Sequence, residues 1–126
     1  MQGKWIVLLI VCLLAACSSN DTPTETKIDP NSDAGRGQIL FSTHCATCHA
    51  VKGDRIVVGP SLDGIATRAS KRVLDLSAED YIRESILYPD NYLVDSFQAG
   101  SMQQNFGSTL TSEDVNYLIA YLLTLK

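Results

Sequence analysis

The residues best suited to chemistry in this chain stand together in one pentapeptide, Cys45-Ala46-Thr47-Cys48-His49. Two thiols three residues apart on a helical turn present both sulfurs to the same edge of a porphyrin, where each can bond to one of two vinyl groups. A histidine directly after the second thiol then lies under the ring, with an imidazole nitrogen placed to coordinate the iron. The pattern predicts one haem c, covalent through Cys45 and Cys48, with His49 on the metal. Two rival uses of such a pair fail on context. A thioredoxin-like redox couple wants a βαβ setting, and no strand with period-two alternation flanks the motif. A zinc site wants further ligands, and only His44 is available besides.

The chain has 126 residues and four cysteines, and the other two read differently. Lys4 is followed by an uncharged apolar run from Trp5 to Ala16, too short for the ~17–25 residues that span a bilayer. Leu14-Ala15-Ala16-Cys17 then resembles the lipobox of bacterial lipoproteins, in which cleavage leaves an acylated cysteine as the first residue. Residues 1–16 are expected to be a removed signal peptide carrying Cys12 away, and Cys17 to be the lipid anchor, since more than one acyl chain holds stably. The stretch from Ser18 to Asp33 has Ile28 as its only large apolar side chain and reads, with Cys17, as a flexible tether over 17–33. The folded part is then 34–126. That is small for a core, and a large buried cofactor is one way to complete it.

The elements that position the motif read as helices. Asn31-Ser32-Asp33 supplies an N-cap for a first helix with Ile39, Leu40 and Phe41 on its apolar side, and the motif begins as that helix ends. Gly37 is costly inside a helix and points to a close helix crossing. Ser77 caps a helix that carries Tyr81, Ile82, Ile86 and Leu87 and stops before Pro89. Thr111 and Asp114 form a capping box for a final amphipathic helix, Val115, Leu118, Ile119 and Leu122 recurring at i, i+3, i+4 and i+7, and running to about Leu125. Ile56-Val57-Val58 is too short for a convincing strand, so the fold class is all-α.

In this order the motifs resemble the class I cytochromes c over Ala34 to Lys126, a fold of three to four helices around one haem. Gly37 and Phe41 resemble the family's glycine/aromatic pair, which Leu118 and Tyr121 of the last helix would meet. Gly59-Pro60-Ser61-Leu62 resembles the loop whose proline carbonyl, here that of Pro60, accepts the second ring N–H of the haem histidine, with Leu62 packed on the haem. Met102 stands where the family places its second iron ligand, in the loop Ala99 to Gly107. A thioether there raises the reduction potential. Gln103 departs from the pattern, which usually has proline after that methionine. A Met filling the core is the plainer use of Met102, and an exposed residue the plainer use of His44.

The resemblance implies a membrane-anchored carrier of single electrons, not an enzyme, facing the periplasm or cell exterior and held by the lipid on Cys17. Its subfamily likeness is to haem domains of oxidase subunit II and to monohaem lipoprotein cytochromes of bacterial redox complexes. Redox partners of that kind are a quinol-oxidising complex, a terminal oxidase or a reaction centre, with no small-molecule substrate. A fixed haem subunit of a larger complex, similar to alternative complex III, is the second reading, and an open-iron peroxidase or gas sensor the third. Ten Lys and Arg against 14 Asp and Glu, with no basic block, exclude nucleic acid as the main partner. Lys52, Arg55, Arg68, Lys71 and Arg72 form the one basic stretch, readable as a docking edge or as a solvated face.

Overall fold

The structure, a computed structural model, describes residues 27–126. The expected signal peptide, the expected lipidation site at Cys17 and the larger part of the expected tether lie outside the described residues. Three helices form the frame: α1 (Asp33–His44), α3 (Ala78–Leu87) and α5 (Ser112–Leu122). Two one-turn helices, α2 (Ile65–Arg68, continued by a 3-10 turn Ala69–Lys71) and α4 (Phe106–Thr109), sit in the connections. Among the described residues there is no strand, only a single isolated bridge between His49 and Ile56. No helix among them is long and apolar enough to cross a membrane.

Each long helix starts where side-chain chemistry places it. Ser32 Oγ accepts the Gly35 amide at 3.1 Å, and Ser77 Oγ accepts that of Asp80 at 3.0 Å. Thr111 and Asp114 complete the reciprocal box, at 3.1 Å and 2.9 Å. α3 ends at Leu87, and its C-cap Tyr88, immediately before the buried Pro89, has left helical geometry, as a proline favours in its predecessor.

The core is a crossing of α1 with α5, onto which α3 packs. At Gly37 an added Cβ would stand 2.8 Å from the Tyr121 Cβ and press on the Tyr117 backbone, so no residue larger than glycine lets the helices approach this closely. Phe41 and Tyr121 meet at a centroid distance of 5.4 Å and a 54° tilt, and Leu118 is 1% exposed beneath them. The polar rim of the same crossing is closed by Arg36 Nη1, which donates to Tyr117 Oη at 2.8 Å, while that hydroxyl donates to Glu113.

Three boundaries differ from those expected. Order begins ahead of Ala34: Ile28 packs against the core, and Asp29 O accepts both the Ser32 amide (3.0 Å) and its hydroxyl (2.6 Å), which folds the end of the expected tether into a turn. The last helix stops at Leu122, three residues early, because the carbonyl of Leu125 turns aside to accept the Ala66 amide at 3.0 Å and ties the C-terminus to α2. Phe106 and Gly107, expected in a loop, belong to α4, where Phe106 is buried against the core.

Candidate functional site

α1 ends where the pentapeptide begins. The Cys45 and Ala46 amides both donate to Phe41 O, at 2.8 and 3.0 Å, and the Cys48 and His49 amides both donate to Cys45 O, at 3.0 and 2.9 Å. The motif is therefore a second, tighter turn that starts on the last carbonyls of the helix and turns Cys45, Cys48 and His49 into one cleft. Both cysteines are free thiols and half-buried. Burial, with a smaller contribution from Cys48, pushes the Cys45 thiol up to about 11. A redox-active pair of the thioredoxin kind needs the opposite shift, usually supplied by a helix N-terminus.

The next segment folds back over this turn. Val58 and Gly59 amides donate to Cys48 O at 3.2 and 2.9 Å, and the Leu62 amide donates to Ala50 O at 2.8 Å. This brings Pro60 O to 2.8 Å from His49 Nδ1. A carbonyl only accepts, so Nδ1 carries the ring proton and Nε2 keeps its lone pair, the form a metal ligand needs. Gly59 lies flat against the same ring: a Cβ there would come 2.9 Å from Nδ1 and closer still to Cε1. Arg68 holds the loop from beneath, donating to the carbonyls of Ser61 (2.6 Å) and Asp63.

The remaining walls are mostly apolar and aromatic, with Phe41, Leu62, Ile82, Ile86, Phe106 and Leu118 prominent among them, and Met102 reaches the cleft from the loop before α4. Met102 is half-buried and also packs against the core, so its place in the packing and its access to the cleft are both real. His44 is exposed at the lip, its ring edge-on to Phe106 at 6.4 Å. The structure thus brings Cys45, Cys48, His49, Pro60, Leu62 and Met102 to one cavity. Cys17 lies outside the described residues.

The donor set fits a covalently held iron porphyrin. Two thiols, one imidazole with a fixed tautomer and one thioether face a wide apolar space, and a glycine leaves room for the imidazole where any Cβ would displace it. Among the described residues no three of His, Cys, Asp or Glu converge as a simple metal-ion site.

Several cleft residues were not singled out from sequence as part of the site. Tyr81 is buried, its phenol pushed up by that burial, and packs edge-on to Tyr92 at 5.5 Å. Arg72 lies over the Tyr92 ring at 5.8 Å and, like Arg68, lines the cleft. Two of the five cations of the basic stretch, Arg68 and Arg72, thus also line the cleft. The signal that would have found them is absent locally, because their partners sit across loops or, for Arg68, on backbone carbonyls.

Comparison with known proteins agrees with this geometry. The family model described as cytochrome c matches residues 34–126. The chain is 34% identical over 71 residues to a cytochrome c-553-like protein of Synechocystis, a match covering 56% of this chain and 67% of that protein. It is 30% identical over 102 residues to a cytochrome c of Arabidopsis thaliana, covering 75% of this chain and 91% of the relative. A cytochrome c of Gibberella zeae is 32% identical over 97 residues, covering 71% and 92%.

Proposed function

The chain belongs to the cytochrome c family, and from that premise we propose that it is a lipid-anchored monohaem carrier whose iron is held by His49 and Met102. Family membership makes it an electron carrier rather than an enzyme, with redox proteins as partners and one haem c bound through Cys45 and Cys48. The haem supplies a reversible one-electron couple. The protein's own residues bind it, keep water from it and fix its ligands. His49, its proton committed to Pro60 O at 2.8 Å, would offer Nε2 to the metal, and Leu62, which lines the same cleft, would pack on the bound haem. Met102 would supply the second ligand, and a thioether there would favour the ferrous state.

The observation that carries the ligand assignment is the convergence of the pre-set His49 imidazole and the Met102 thioether on one apolar cleft. The anchor is supported by Leu14-Ala15-Ala16-Cys17 and its position after an apolar run. It sets the carrier outside the cytoplasmic membrane, passing electrons from a quinol-oxidising complex to a terminal oxidase or reaction centre.

The test is an optical spectrum of the full chain, made in bacteria that attach haem c and recovered from the membrane fraction, recorded ferric, ferrous and ferrous with carbon monoxide. The expected result is a membrane-bound protein with a near-infrared sulfur-to-iron band and no carbon monoxide shift. Recovery in the soluble fraction would overturn the anchor. Ready carbon monoxide binding without the band would overturn the ligation and with it the simple carrier.

A further inference from the structure

Apart from Met102 itself, which packs against the core, the loop around it is not held by burial. Gln98 to Ser101 and Gln103 to Asn105 are all exposed, and Met102 alone among them is half-buried. Gly100 has a φ of +75°, and Gln103 leaves the backbone after Met102 without a ring to fix its torsion. Such a segment opens locally at low cost unless other bonds hold it.

Those bonds converge on one carboxylate. Asp90 follows the buried Pro89 at the end of α3, so its backbone is fixed to the core although its side chain is exposed. Its Oδ1 accepts the Gly100 amide at 2.9 Å and the Gln104 Nε2 at 3.2 Å. The same Gln104 amide nitrogen donates to the carbonyl of Met102 at 2.9 Å. Asp90, just past the end of α3, thus grips the loop two residues before Met102 and two residues after it, and Gln104 passes that hold on to Met102 itself.

We propose that Asp90, acting through Gln104 and the Gly100 amide, is a positioning residue that holds the Met102 thioether on the iron. The proposal rests on the ligation proposed above. Hydrogen bonds to an ionised carboxylate are stronger than neutral ones, and each one lost raises the fraction of molecules in which the loop has swung away. An external ligand competing for that iron position reports this fraction directly.

The experiment is imidazole titration of the ferric holoprotein, alongside its near-infrared band and its thermal melting, for the wild type, Asp90→Ala, Asp90→Asn and Gln104→Ala. Asp90→Ala is expected to bind imidazole roughly tenfold more tightly, with a weaker sulfur-to-iron band. Asp90→Asn keeps one acceptor oxygen and falls between it and the wild type. Gln104→Ala removes two of the three bonds, leaves Asp90 in place, and is expected to move in the same direction if Asp90→Ala does not fold. Lower melting temperatures with wild-type imidazole affinity and band would overturn the proposal, since that is the result of a purely structural role. A wild type that lacks the band and takes up carbon monoxide would instead overturn the ligation, and this is read before any variant is made.

Discussion

The two sides of the haem cleft are built by different physics. Cys45, Cys48 and His49 hang from the end of a helix that is clamped by an apolar crossing, with Gly37, Phe41, Leu118 and Tyr121 in close contact. Met102 hangs from a loop whose neighbours on both sides are exposed and whose restraints are hydrogen bonds to Asp90 and Gln104. The first side is rigid because displacing it opens a void in the core. The second is held by a few polar bonds that water can replace. The covalent attachment thus stands on the stable side and the proposed second ligand on the labile one.

If this contrast is right, the largest effect comes from emptying the crossing. Phe41→Ala is expected to cost about 3–5 kcal/mol, because the 4%-exposed ring meets Tyr121 at 5.4 Å and its loss leaves a cavity in the crossing. Guanidinium unfolding followed by helical circular dichroism measures it. A loss below about 1 kcal/mol would show that the α1/α5 contact is not what holds the motif, and the contrast between the two sides would fail.

A smaller change sharpens the same side at the histidine. Gly59→Ala puts a Cβ 2.9 Å from His49 Nδ1, so either the ring leaves Pro60 or the loop lifts from Cys48. The expected cost is about 1–3 kcal/mol, with a shift in the Soret spectrum of the holoprotein that a surface Gly53→Ala change does not produce. Gly53 has no atom within 4 Å of its would-be Cβ, though its φ of +70° adds local strain of its own. Equal spectra for the two variants would mean that the His49 ring is not held against this loop.

The contrast also explains what could be read from the sequence. The helices that flank the cleft announced themselves through periodicity and caps: Ser32, Ser77 and Thr111 all cap where expected, and Gly37 marks the crossing because a glycine inside a helix needs a reason. The pentapeptide was legible because its chemistry needs fixed spacing. The short α2 and α4 and the early end of α5 were not, since a one-turn helix has no period to show and the Leu125 O contact with Ala66 N is distant in sequence. The turn over Asp29–Ser32, though closed by local bonds, lay in a stretch whose polar composition read as tether. The loop-holding bonds of Arg68 and Asp90 went unread for want of a local signal. Their partners lie five to fourteen residues away through irregular chain, where no period exists to be recognised.

The smallest expected effect tests whether the polar rim of the rigid side matters as little as its apolar centre matters greatly. Asp114 accepts from the Thr111 hydroxyl and amide, and these bonds hold its carboxyl below the usual carboxylate range. A carboxyl depressed in the folded state stabilises fully above its unfolded value of about 4, and that contribution disappears as pH falls through the lower folded value. Asp114→Asn is therefore expected to be slightly less stable than the wild type at pH 7, with the difference closing in strong acid. Denaturant midpoints of the two proteins across pH 2 to 7 measure it. A gap that stays constant with pH would mean that the amide lost something other than the charge in the capping box. A gap as large as that of Phe41→Ala would mean that the helix cap, rather than the crossing, fixes the rigid side of the cleft.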